Sequence, residues 1–251
     1  MATILLIGAG LMVRSLSAIG RVELGFDPER VLTMRVVLPE SRYTSADQVV
    51  DFYRLALKRV RNLPGVRAAG IVRLLPLATT IGDYGLDVDG FDESKGQNAK
   101  GDWQIVSDGA FEAMGTRLIR GRWFTSSDRT DTQPVTVVNE TLARTYWRDP
   151  AAVIGGRIRI GSAPERPWAI VVGVVADERH NGITAGVKEK FYIPHSQWHV
   201  VRPSAPVRDA FFVVRTDNDP LALSMPLQRT IQDLDNRLPV SGPQTMTDVV
   251  N

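Results

Sequence analysis

The chain has 251 residues, 43% of them hydrophobic and 23% charged, which allows a real core in one large domain or two small ones. Its 30 basic residues stand against 28 acidic ones, and no aromatic-and-basic interleaving is present, so a nucleic-acid partner gains no support. Cysteine is absent, which excludes thiol catalysis, thiolate metal sites and disulfides together.

The first stretch admits two readings. Residues 2–13 carry no charge and hold Gly8 and Gly10. As a strand turning into a helix, they open a dinucleotide-binding unit, and the chain is then a soluble dinucleotide-dependent oxidoreductase. That fingerprint is faulty, because Val13 stands where a small residue belongs and Glu29 precedes the strand it should follow. As a helix ending at Arg14, the run is about 18 Å long, short of the ~30 Å bilayer core, and reads as the tail of a membrane span.

Gly25-Phe26-Asp27-Pro28 is a turn, and the aliphatic run 31–38, closed by Pro39, is a strand. Ser45 with Gln48 forms a capping box ahead of the clearest helix. Val49, Tyr53, Ala56, Val60 and Leu63 share its apolar face, and Lys58, Arg59 and Arg61 gather where the helix dipole favours cations. Pro64-Gly65 ends it, and residues 66–75 form the next strand, leaving a parallel crossover and a split βαβ unit both open.

Five glycines punctuate residues 76–101 around a short strand at 84–91, the start of a β-rich insertion. Further strands are expected at 103–106, 118–120 and 135–138, then a helix capped by Asn139. Residues 157–160 alternate basic and apolar, as a strand with one wet face does, and 168–175 read as a strand buried on both faces. Strands at 191–193 and 211–215 flank a proline-rich loop, 194–208. A last helix opens at Asp219-Pro220 with Leu227, Ile231, Leu234 and Leu238 as its stripe, and Pro226 kinks or restarts it before Pro239 stops it.

No catalytic constellation emerges. His195 and His199 have the i, i+4 spacing of metal ligands, but Pro194 and Pro203 leave no room for a long helix, so loop or interface histidines are expected. Asp87 and Asp89 share one side of a strand, as acid-base pairs can, yet a solvated face is the simpler reading. Neither a GxSxG elbow nor a Walker loop is present. The sequence therefore assigns no catalytic, cofactor-binding or metal residue and no cofactor, and the chain is expected not to be an enzyme.

In order along the chain stand Gly8-Ala9-Gly10-Leu11, Val13-Arg14-Ser15-Leu16, Gly25-Phe26-Asp27-Pro28 with Val31-Leu32, and Leu63-Pro64-Gly65-Val66. Gly121-Arg122 with Phe124, Val138-Asn139-Glu140 with Ala143, and Asp149-Pro150 with Ile154-Gly155 come next. Then follow Val171-Val172-Gly173-Val174-Val175 with Asp177, Tyr192-Ile193-Pro194 and Val214-Arg215-Thr216. In order and spacing this resembles the extracytoplasmic core domain of MacB-type and FtsX-like ABC transporter permeases, nearest the duplicated orphan permeases of acidobacteria.

The resemblance implies an α+β fold with two lobes, a porter-like βαβ lobe from both chain ends and an inserted β-rich lobe, preceded by the end of a transmembrane helix. Its division is 1–20 for the membrane helix, 21–80 and 191–251 for the porter-like lobe, and 81–190 for the insertion. It implies a non-catalytic domain on the periplasmic side of the inner membrane, coupling ATP-driven helix motion to export or other extracytoplasmic work. Expected partners are the membrane, the remainder of the permease chain, a cytoplasmic ATP-binding subunit, and a second permease half in a dimer or pseudo-dimer. A sensor or ligand-binding module is the third reading, because a cleft between two lobes could hold a small molecule.

Overall fold

The computed structural model describes residues 23–91, 98–161, 163–203, 206–240 and 242–251. The expected membrane-helix tail and the Gly8/Gly10 turn lie outside the described residues. No helix among the described residues is long and apolar enough to cross a membrane.

The first layer starts with β1 (Val31–Val37), α1 (Ala46–Val60) and β2 (Val66–Val72). Strand β10 (Asp209–Thr216) lies between β1 and β2 and is antiparallel to both, with Met34 opposite Phe212 and Phe212 opposite Ile71. The unit is therefore a split βαβ, which settles the choice that the sequence left open. The capping box is present: Gln48 N donates to Ser45 Oγ at 3.3 Å and Ser45 N to Gln48 Oε1 at 3.1 Å. The buried stripe of α1 contains Val49, Tyr53, Ala56 and Val60, and also Phe52 and Leu57. Leu63 falls beyond the helix end and is half-buried. On the same sheet face lies α5 (Ser224–Gln232), entered through a tight turn at Pro220–Leu223. Pro226 is the third residue of α5, where its missing N–H has no intrahelical acceptor to lose, so the proline restarts the helix without kinking it.

The second layer contains β3 (Asp83–Val88), β4 (Lys100–Val106), β6 (Val135–Asn139), β7 (Arg157–Ile160), β8 (Ala169–Val175) and β9 (Lys190–Pro194). Pairing runs β4–β3–β7–β8–β6–β9 and returns from β9 to β4, so six strands close on themselves and leave no free edge within the ring. A seventh, β5 (Leu118–Gly121), pairs with β8 from outside the ring. Leu86, Ile105, Val138, Ile158, Val171 and Phe191 belong to its apolar core, with α3 (Glu140–Tyr146) packed against it. Strand β8 is not enclosed throughout: Ile170 and Val172 are half-buried. The loop expected at 194–208 holds a tight turn, His195–Gln197, and the short helix α4 (Trp198–Val201).

The two layers meet where β2 ends against β4. Val72 faces Val106, Arg73 N donates to Ile105 O at 2.9 Å, and Ser107 N donates to Ile71 O at 2.9 Å. Helix α2 (Ala110–Met114) fills the corner, so tightly that a Cβ on Gly70 would lie 2.4 Å from the Ala110 backbone. A third apolar cluster there joins Phe26, Val106, Phe111, Tyr192 and Val213 with Met246 of α6 (Met246–Val250). A two-residue strand, β11 (Gln244–Thr245), pairs with β1 just before α6.

Candidate functional site

A cleft of about 900 Å³ lies between α1 and residues 124–131, which connect β5 to β6. Helix α1 buries one face in the first core, which turns the side of Val50, Arg54 and Lys58 toward the cleft. Tyr53, Ile71 and Phe124 lie beneath its floor. The opposite wall is held in place by the turn after β9. Ser196 Oγ donates to Asp128 O at 2.6 Å, and Thr130 Oγ1 donates to Ser196 O at 3.0 Å.

Most charges in this cleft are matched within the protein. Arg54 pairs with Asp51 at 3.0 Å, Arg61 with Asp108 at 2.9 Å, Arg129 with Asp131 at 3.0 Å, and Arg122 holds Asp128 at 2.8 Å from behind the wall. Desolvation works to raise the Asp128 carboxyl, but hydrogen bonds from Arg122 and Thr125 leave it below its usual range. At the floor the His195 ring meets Tyr53 edge-on at 4.9 Å, and its Nε2 lies 3.0 Å from Val207 O. Burial pushes this imidazole down to about 4, so it is neutral at pH 7. His199 sits on α4 while His195 belongs to the preceding turn, so the two do not project from one helical face.

Behind the layer junction is a buried polar knot. Lys190 Nζ is 3.0 Å from Glu178, which also accepts from Thr116 Oγ1 at 2.6 Å and Tyr192 OH at 2.8 Å. His180 Nδ1 lies 3.4 Å from the Lys190 ammonium. Burial first, and then the charges of Lys190 and Arg73, push His180 down to about 2. A second cluster surrounds Asp83, which Lys100 holds down at about 2. Its neighbour Asp102 is raised to about 6, by burial first and by Asp83 second.

None of this assembles a reaction centre. Asp87 pairs with Arg159 and Asp89 with Arg157, each at 2.6 Å, so these carboxylates serve as strand-to-strand ion pairs. The histidine knot and the cleft floor are on different elements. Residues that sequence reasoning missed are those of the cleft itself. Only the amphipathic pattern of α1 pointed to a solvated helix face, and nothing local marked 124–131 as its opposing wall.

Comparison with known proteins adds the following. The family model described as MacB-like periplasmic core domain matches residues 1–225. The periplasmic region of MacB from Actinobacillus actinomycetemcomitans superposes with a TM-score of 0.58 at 13% identity, covering 90% of this chain and 92% of that one. The extracellular domain of the noncanonic ABC-type transporter YknZ from Gram-positive bacteria gives 0.51 at 12% identity, covering 85% and 98%. No curated protein sequence matches the chain.

Proposed function

This chain belongs to the MacB-like periplasmic core domain family, and from that membership we propose that it works as a coupling element of an ABC transporter permease. In this reading the domain is not an enzyme. It stands on the periplasmic side of the inner membrane and converts ATP-driven motion of membrane helices into export or other extracytoplasmic work. ATP hydrolysis belongs to a cytoplasmic ATP-binding subunit, and a second permease half completes a dimer or pseudo-dimer.

The observation that carries the reading is the clasp on the segment leading into β1. Arg179 N donates to Leu24 O at 2.9 Å, and Asp27 N donates to Met114 O at 2.8 Å. The backbone entering the domain is thus bonded to the strand-ring layer and to α2 before it joins the split βαβ sheet. A displacement of the preceding segment would act on both layers at once. We divide the described chain accordingly into a porter-like lobe, residues 23–72 and 209–251, and a β-rich lobe, residues 83–194. Strand β9 is assigned to the second lobe because its partners are β4 and β6.

The test is a spin-label distance across the cleft, between Arg54→Cys and Ser126→Cys, in the full permease reconstituted with its ATP-binding subunit. The expected result is a distance distribution that shifts on ATP binding and returns after hydrolysis. A distribution indifferent to nucleotide would remove the coupling role.

A further inference from the structure

We infer that the cleft between α1 and residues 124–131 is a binding site for an uncharged, mainly apolar small molecule. Its volume, about 900 Å³, falls in the range of sites that enclose drug-sized ligands. The class of ligand follows from what the lining leaves unsatisfied, which is little.

Among the described residues, every ionised side chain lining the cleft has an opposite charge beside it except Asp47 and Lys58. Both are exposed, at opposite ends of α1, roughly 16 Å apart along the axis, so they mark the rim and not the centre. Four hydroxyls of the lining are also engaged. Ser107 Oγ donates to Asp108 O, Thr130 Oγ1 to Ser196 O and Ser196 Oγ to Asp128 O. The Tyr53 hydroxyl is within 3.0 Å of Val36 O and Arg208 O, beneath the floor. A ligand charge placed in the middle would gain a countercharge only by displacing a partner from one of these ion pairs. Apolar surface meets no such penalty there, because Val50 and Leu57 on the α1 wall, Pro194 opposite and Phe124 at the floor offer contact without a hydrogen-bond demand.

This inference goes beyond the coupling role and is tested without nucleotide, so the two can fail separately. The full chain in detergent micelles is photolabelled with benzophenone, a neutral aryl ketone, and adducts are mapped by mass spectrometry. Labelling is expected to saturate and to concentrate on α1 and residues 124–131. Benzophenone-4-carboxylate is expected to label these segments at least about tenfold less. Val50→Arg and Ser126→Arg, at half-buried and exposed positions on opposite walls, should each cut cleft labelling by about tenfold. Adducts scattered over the surface, or a carboxylate analogue that labels the cleft as strongly as the ketone, overturn the inference. The map on the unchanged chain decides the matter even where a variant misfolds.

Discussion

Gly25 lies with its Cα against the carbonyl of Asp177, so close that a Cβ on Gly25 would sit 1.9 Å from that oxygen. Its φ is +81°, in the left-handed region. Two independent requirements therefore fall on one position: a backbone angle that favours glycine, and a backbone-to-backbone contact that excludes a methyl group. The contact fastens the entry segment to residues that follow β8, and Asp27, two positions on, is gripped by Arg215, whose Nη1 is 2.8 Å from Oδ2 and whose Nη2 donates to Asp27 O at 2.7 Å.

Gly25→Ala is expected to destabilise the fold by about 2–4 kcal/mol, combining left-handed strain with a clash that only backbone movement relieves. Gly90 provides the control, since its φ is +79° and a Cβ there would meet nothing within 4 Å. Gly90→Ala should cost only about 1 kcal/mol. Denaturant midpoints for the two variants separate the two effects, and equal losses would show that the Asp177 contact contributes nothing.

Removing Lys190 should cost more than removing the whole pair. Lys190 and Glu178 are both nearly inaccessible, at 3% and 8% exposure, so Lys190→Met leaves a buried carboxylate without its countercharge. About 3–5 kcal/mol is expected for that single change. The double variant Glu178→Gln, Lys190→Met should recover most of the loss, because a neutral amide can still meet Thr116 and Tyr192. Chemical denaturation of Lys190→Met, Glu178→Gln and the double variant reads the difference, and additive losses would refute the pairing argument.

Ser45→Ala should lower stability by about 1 kcal/mol, the usual worth of an N-cap hydroxyl. Ser45→Asp should keep most of it, since a carboxylate also accepts from the Gln48 amide and suits the helix N-terminus. Thermal unfolding of both variants checks the order, and a silent Ser45→Ala would mean that the first turn is held by packing alone.

The sequence made α1 legible because cap, period and terminator agree over fifteen residues. Strand positions came out well for the same reason, since 31–37, 135–139 and 157–160 are runs whose local pattern matches their burial. What could not be read was pairing. Nothing local says that β9 closes a ring with β4 and β6, because five residues of buried strand look alike wherever they pair. Helix α2, five residues long, and β11, two residues long, fall below the length at which a period shows. The blocks that carry the family resemblance hold structure: Asn139 caps α3 by accepting from Leu142 N at 3.0 Å, and its Nδ2 donates to Asp177 at 2.7 Å. The cleft was illegible for a further reason, that its walls are more than sixty residues apart in the chain and are set by that unread pairing.

Acid should weaken the fold well above the pH at which most of its carboxylates are protonated. His180 and His195 have folded values of about 2 and about 4, both below the ordinary 6.5, so the unfolded chain takes up their protons first. Stability from this source is complete above about pH 6.5 and falls as pH drops toward 4 for His195 and toward 2 for His180, at up to about 1.4 kcal/mol per pH unit for each ring. His199 shifts in the same direction. Asp102 opposes them, since its folded value of about 6 lets the native state gain a proton before the unfolded one does. Asp83, held at about 2, adds its loss only below about pH 4. Burial raises Glu112 too, but between pH 6.5 and 5 the histidines outweigh Asp102 and Glu112, and unfolding free energy should decline. His195→Gln isolates one ring: the difference in stability between pH 7.5 and pH 5.0 should shrink by about 2 kcal/mol relative to the unchanged chain. Urea titrations at the two pH values measure it, and an unaltered difference would mean that His195 is protonated within the folded protein.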